Sequence, residues 1–138
     1  MTTLTLDDAR RIAVAAERRA GELACAITVT VVDGGGHIRA QSRMDGARFG
    51  TLGVSTSKAH TAVAFGAPTK ILAGLTQPGQ SLYGFADAVS TPFAAFAGGV
   101  PIVVDDQVVG AIGISGGSVD QDQEIAEAGV GAIVPVAV

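Results

Sequence analysis

Apolar and polar positions follow two different periods along this chain. Between Leu6 and Leu23 the apolar residues recur at the three- and four-residue spacing of one helix face. Thr5 and Asp8 resemble a capping box at the start of this helix, with Asp in place of the usual Glu. The run from Ala26 to Val32 is β-branched and apolar on both faces, which is typical of a strand covered on both sides. The chain is therefore predicted to begin with a helix and a buried strand.

Turn residues between apolar runs predict two hairpins. The sequence Asp33-Gly34-Gly35-Gly36 separates the first strand from a second one at His37 to Arg43, and glycine supplies the positive φ that tight hairpins need. A second hairpin is predicted from strands at 99–105 and 108–115 around the turn Asp105-Asp106-Gln107. The glycines at 34–36 match neither GxGxxG nor GK[ST], so a hairpin turn is favoured over a phosphate loop.

Between the hairpins the pattern predicts two helices and a long loop. Thr51 to about Phe65 is an alanine-rich helix, which the pair Ala67-Pro68 interrupts. A short helix then runs through Leu75, with Pro68 in its first turn. Residues 77–98 contain two Pro-containing turn signals and are expected to form a loop, with at most a short helix.

The last element and the element order together predict the fold class. Ser118 and Gln121 form a second capping-box pattern, in front of a helix from Val119 to about Ile133. The order is helix, hairpin, two helices, loop, hairpin, helix. It predicts an α/β (α+β) fold in three α/β/α layers, with a central antiparallel sheet of four to five strands built from two hairpins. A chain of 138 residues favours a single domain, 1–138.

Composition narrows the classes of function. The chain is 48% hydrophobic and 16% charged, which supplies a core and predicts that some apolar surface is buried between subunits. A net charge of −4 argues against nucleic acid or an anionic membrane as a partner. Residues 1–5 lack a secretory pattern and no apolar run is long enough to span a bilayer, so the expected location is the cytoplasm. Cys25 is the single cysteine, which excludes an intrachain disulfide and predicts a buried, inert thiol.

Side chains that could bind a ligand or take part in catalysis are concentrated in residues 43–62, in a chain that is otherwise rich in alanine, valine and glycine. Arg43 offers a bidentate fork for a carboxylate, with a structural pair to Asp45 or Asp33 as the alternative. Lys58 is one of two lysines and lies on the alanine-rich helix, where it is interpreted as a partner for Asp45 or as a group that holds an acidic ligand.

His60 is the more informative of the two histidines. Thr56 and Ala64 flank it at four residues on either side, so it lies on a stripe of small residues. An imidazole there would suit a metal or haem iron, or general acid–base chemistry. The alternative is a surface or interface histidine, because the same helix carries no second histidine or carboxylate at ligand spacing. Lys58 lies about 200° round the helix from His60, so the two are not expected to face one cavity.

The segment Gly113-Ile114-Ser115-Gly116-Gly117 fits the letter pattern G-x-S-x-G of a nucleophile elbow. No histidine follows Ser115, the predicted sheet is antiparallel, and the chain is short for an α/β-hydrolase. Ser115 is therefore not predicted to be a nucleophile. The favoured interpretation is a strand that closely approaches another backbone or a ligand, followed by a helix N-terminus whose N–H groups could meet an anion. Asp120 and Asp122 oppose an anion there and match the helix dipole.

Several segments together resemble the GlcG/HbpS-like family, which includes the C-terminal domain of PduO-type proteins. They are Val32–His37, Arg43–Ala47, Lys58–Ala62, Gly98–Ile102 and Val109–Gly117. The resemblance implies the three-layer fold and a homo-oligomer of four to eight chains. It also implies a small-molecule ligand, which is haem, another tetrapyrrole or a small organic acid.

The first functional hypothesis is an oligomeric small-ligand-binding protein in which His60 is a candidate haem ligand. The candidate ligand-binding residues are Arg43, Lys58, His60, Gly116 and Gly117.

The second hypothesis is an enzyme of small carboxylic acid catabolism that acts as a hydrolase, isomerase or lyase. Arg43 would anchor the carboxylate of the substrate in such an enzyme. The candidate catalytic residues are Lys58, His60 and Asp45, because each can exchange a proton in a largely apolar setting.

Overall fold

A computed structural model describes residues 3–134, and its elements follow the predicted order. The helices are α1 (Leu6–Glu22), α2 (Gly50–Phe65), α3 (Thr69–Leu75) and α4 (Val119–Val130), with one 3-10 turn at Phe85–Ala88. The strands are β1 (Thr28–Asp33), β2 (Ile38–Arg43), β3 (Gly99–Val104) and β4 (Gln107–Ser115).

The four strands form one antiparallel sheet in the order β2-β1-β4-β3. Each hairpin contributes two neighbouring strands, and β1 pairs with β4 at the centre, with Thr28 opposite Ser115 and Asp33 opposite Gly110. Within residues 3–134 the sheet has four strands, the lower of the two numbers predicted.

Helices cover both faces of the sheet, as the three-layer prediction requires. Helices α1 and α4 pack on one face, where Ile12, Ile112 and Ile125 belong to the larger core cluster. Helix α2 packs on the other face, where the smaller cluster is built largely from alanines such as Ala59 and Ala111. Small side chains let α2 approach the sheet closely, so residues at the ends of α2 can reach the ends of the strands.

Side-chain caps set the starts of the two helices that share a face. The Thr5 hydroxyl accepts a hydrogen bond from the Asp8 N–H at 3.0 Å. At α4 the capping box is complete, because Ser118 Oγ accepts from the Gln121 N–H at 3.2 Å and the Ser118 N–H donates to Gln121 Oε1 at 2.9 Å. Both predicted helix starts are thus confirmed, whereas α4 ends three residues earlier than predicted.

The starts of β1 and α3 also differ from the prediction. Strand β1 begins at Thr28, two residues later than predicted, and Pro68 is the N-cap of α3 and not a residue of its first turn. The 77–98 segment is an irregular loop with one 3-10 turn, and the Phe85 ring packs against Phe65 and Phe93 at centroid distances of 5.2 and 5.4 Å. None of the helices in residues 3–134 is long and apolar enough to cross a membrane.

Candidate functional site

A cavity of about 460 Å³ lies where the N-terminal ends of α2 and α4 approach the chain entering β1. Its volume falls in the range of small-molecule sites. Six of the residues that line it are Cys25, Gly46, Arg48, Thr51, Gly116 and Gly117.

Backbone forms one wall of this cavity, at the glycine pair predicted to bind a ligand. Gly116 has a φ of +141°, and a Cβ there would lie 2.4 Å from the Ala26 carbonyl oxygen, so no other residue fits. The Gly117 N–H donates to Asp122 Oδ1 at 2.8 Å. Cys25 was predicted to be buried, but it is only half-buried and lines the same cavity.

Arg43 stabilises the turn beside the cavity. Its Nη1 donates to the Ala47 carbonyl at 3.1 Å, and Ala47 is itself a lining residue. This contact replaces the Arg43–Asp45 or Arg43–Asp33 pair that the sequence suggested. Asp45 is exposed and precedes Gly46, which takes a φ of +89° in the turn.

Lys58 is directed into the protein interior. The residue is 1% exposed, and its Nζ donates to the Ile114 carbonyl at 2.7 Å and to Asp122 Oδ2 at 3.0 Å. The Phe96 ring covers the ammonium at 4.9 Å from its centroid. The predicted pairing of Lys58 with Asp45 is therefore wrong, because the carboxylate that meets this lysine comes from α4. Lys58 reaches the cavity only indirectly, since Asp122 also binds the Gly117 N–H.

The Lys58–Asp122 pair links helices from opposite faces of the sheet. Burial lowers the pKa of Lys58, and the charge and hydrogen bond of Asp122 oppose that shift. Burial likewise raises the pKa of Asp122 against the charge of Lys58 and the N–H groups of Gly117 and Gly116. Sequence reasoning missed Asp122 as the partner of Lys58 because an aspartate in the first turn of a helix is adequately explained by the helix dipole.

His60 lies apart from the cavity. It follows Thr51 by nine positions on α2, which places it about 13 Å farther along the helix axis. Its ring packs against the first hairpin, where a Cβ on Gly36 would lie 3.1 Å from Cδ2 and 3.5 Å from Nε2. Its Nδ1 is buried and has no hydrogen-bond partner among the described residues. The expectation that Lys58 and His60 face different surroundings is confirmed.

His37, which the sequence did not single out, lies at the same hairpin. Its side chain is 82% exposed, and its Nδ1 lies 3.4 Å from Asp33 Oδ1. Burial alone would raise the pKa of Asp33, but hydrogen bonds from the N–H groups of His37 and Gly35 lower that pKa below its usual value. Within residues 3–134 no three His, Cys, Asp or Glu side chains are grouped to hold a metal ion.

The predicted site residues thus fall into two places. Arg43 donates a hydrogen bond to the turn beside the cavity, and Gly116 and Gly117 line the cavity. Lys58 does not line it, but binds Asp122, whose carboxylate also binds the Gly117 N–H. His60 lies at the far end of α2, next to the first hairpin.

Comparison with known proteins agrees with this fold and identifies the family. A protein described as an uncharacterized 15.0 kDa protein in the dhaT-dhaS intergenic region of Citrobacter freundii is 37% identical over 127 residues, which cover 92% of this chain and 89% of that protein. The crystal structure of a PduOC:heme complex is 35% identical, with a TM-score of 0.90 and 95% of each chain covered.

The crystal structure of a double mutant of Streptomyces reticuli HbpS is 30% identical, with a TM-score of 0.88 and coverage of 97% of this chain and 89% of that one. The family described as haem degrading protein HbpS-like matches residues 4–131, which is nearly the whole chain. The chain therefore belongs to the HbpS-like family.

Proposed function

We propose that this protein binds haem and that His60 is the residue that contacts the iron. The observation that carries the proposal is the imidazole of His60, whose buried Nδ1 has no hydrogen-bond partner among the described residues. A relative with the same fold was crystallised as a haem complex, which supports a tetrapyrrole as the ligand class.

The residues around His60 fit this group in two respects. Because Nδ1 is buried, Nε2 is the nitrogen left to reach a ligand. Gly36 keeps that approach open, since any side chain there would crowd the ring. His60 would hold bound haem through Nε2, and the haem would supply an iron centre there. An iron-bound histidine usually donates its other N–H to an acceptor, and Nδ1 of His60 has no such acceptor within residues 3–134.

An absorbance titration with hemin tests the proposal. We expect a saturable Soret shift in the unaltered protein at about one haem per chain or per pair of chains. Each chain offers one such imidazole, that of His60 beside Gly36. The shift should disappear in His60→Ala. The matched control is His37→Ala, which removes the other imidazole of the same hairpin region and should leave the shift intact. A non-saturable shift, or one that His60→Ala leaves unchanged, would disprove this assignment.

The cavity supports a second candidate ligand, a small organic acid. Arg48 lines it, and an arginine guanidinium is suited to bind a carboxylate. The cavity gives less support to the hypothesis that the protein is an enzyme, because none of the candidate catalytic residues Asp45, Lys58 and His60 lines it. If hemin fails to bind, small carboxylic acids become the ligands to screen, with Arg48→Ala as the comparison.

A further inference from the structure

The hydroxyl group of Thr51, a residue that lines the cavity, has its single proton already bound. Its Oγ1 donates to the Arg48 carbonyl at 2.6 Å, and a carbonyl oxygen can only accept. The same Oγ1 lies 2.8 Å from Thr28 Oγ1. Because a hydroxyl carries one proton, Thr28 must be the donor of this second bond. Thr51 Oγ1 therefore has no proton left for a ligand and can offer it only a lone pair.

The Arg48 side chain has the opposite hydrogen-bonding character. Its guanidinium makes no hydrogen bond or ion pair with any group in residues 3–134, and it carries donors only. Arg48 is also the single charged residue among the described residues that line the cavity. A carboxylate is the group that suits this fork of N–H donors.

The start of α4, on the other side of the cavity, does not compete for that carboxylate. The Gly117 N–H is bound to Asp122, the Ser118 N–H to Gln121 Oε1, and the Gln121 N–H to Ser118 Oγ. Side chains of α4 thus occupy these donors already, and Asp122 adds a negative charge behind Gly117. The anionic end of a ligand is therefore expected at Arg48.

We infer that the cavity selects a carboxylic acid that also carries a hydroxyl group. Arg48 binds the carboxylate, and Thr51 accepts a hydrogen bond from the hydroxyl. A keto group does not replace the hydroxyl, because it can only accept and would face a second acceptor. An ammonium group can donate, but no carboxylate among the described lining residues balances its charge.

This inference rests on the small organic acid proposed above as the ligand of the cavity. It is independent of haem at His60, which does not line the cavity.

A titration of the haem-free protein with four three-carbon acids tests the inference. At the carbon next to the carboxylate, lactate has a hydroxyl, pyruvate a keto group, alanine an ammonium group, and propanoate only hydrogen. Two-dimensional ¹⁵N NMR would follow each titration, because the N–H signals of Gly46, Gly116 and Gly117 report on the cavity. Both enantiomers of lactate are used. The pair 3-hydroxybutanoate and butanoate repeats the comparison with the hydroxyl one carbon farther from the carboxylate.

We expect at least one hydroxy acid to bind about 3- to 10-fold more tightly than the acid without the hydroxyl, which is the effect of one net hydrogen bond. Pyruvate should bind no better than propanoate, and alanine should bind more weakly than lactate.

Substitutions on α2 assign the preference to its residues. Thr51→Val keeps the shape of the side chain and removes Oγ1, so it should abolish the preference for the hydroxy acid. Thr56→Val is the matched control, because Thr56 Oγ1 also donates to a carbonyl of its own helix, that of Leu52 at 2.8 Å, but does not line the cavity. This control should keep the preference. Arg48→Gln should weaken all the acids together, by about tenfold or more.

Equal affinities within both pairs of acids, or a preference that survives Thr51→Val, would overturn the inference and leave a small acid as the ligand. Tighter binding of pyruvate or alanine than of lactate would have the same meaning. If no acid shifts the signals of the cavity, the small-acid proposal fails and the inference fails with it. The comparison of acids needs no variant, so it tests the inference even if Thr51→Val does not fold.

Discussion

Lys58 and Asp122 are an ion pair in which both residues are almost fully buried. The ammonium has two oxygen partners and an aromatic ring over it, and the carboxylate binds both Lys58 and the Gly117 N–H. Taking two charges out of water is unfavourable unless such partners replace the lost hydration. Each member of the pair therefore depends on the other far more than an exposed pair would.

Asp122→Asn should destabilise the protein by about 3–5 kcal/mol, because it leaves the Lys58 ammonium buried without its counter-charge. Urea unfolding would measure the change. Asp120→Asn is the matched control, since Asp120 lies in the same first turn of α4 but is exposed, and its effect should stay within about 0.5 kcal/mol. Adding Lys58→Met to Asp122→Asn should recover part of the loss. Equal effects of the two Asn variants would show that the pair contributes little to stability.

At the scale of elements, α2 packs very closely against β4 at Gly113. A Cβ on Gly113 would lie 2.0 Å from the Ser55 carbonyl oxygen and 2.6 Å from the Ala59 nitrogen, both of them backbone atoms of α2. Backbone atoms cannot rotate away as a side chain can. Glycine at this position therefore sets the distance between the helix and the sheet.

Gly113→Ala should consequently force α2 away from the sheet and lower the free energy of unfolding by about 3 kcal/mol or more. Thermal and urea unfolding would measure it. Gly53→Ala is the control on helix α2, where nothing lies within 4 Å of an added Cβ and alanine should stabilise the helix by about 0.5–1 kcal/mol. A neutral Gly113→Ala variant would show that α2 is not held at this distance.

At the scale of the whole molecule, charge is concentrated away from α2, α3 and residues 76–98. Long-range repulsion between chains of net charge −4 would oppose the self-association that the composition predicts. That association should therefore depend on apolar burial and only slightly on salt.

Raising the salt concentration from about 50 to 500 mM should leave the dissociation constant unchanged or lower it slightly, because added salt screens only the net repulsion. Sedimentation equilibrium at several salt concentrations would measure this. A dissociation constant that rises about tenfold or more over that range would mean that opposite charges hold the chains together, and would contradict association by apolar burial.

Local patterns carried most of the prediction of the fold. The N-cap at Thr5, the capping box at Ser118, the glycine turn after Asp33 and the apolar periodicity are short-range signals, and they predicted the helices, hairpins and layers correctly. The errors lie mainly at element ends, where tertiary contacts compete with local preference. The close approach of backbone at Gly116 was also predicted from sequence, because a glycine pair between a strand and a capped helix indicates such an approach.

The sequence by itself determined the order of the elements, the three layers and the family, because helix and strand periods and turn residues act over a few positions. Only the tertiary structure decided which charges meet and which do not. Lys58 pairs with a residue 64 positions away, and the cavity brings together the starts of α2 and α4 and the chain entering β1, with His60 outside it. Neither fact is encoded in local spacing, since each depends on where two faces of one sheet place helices from distant parts of the chain.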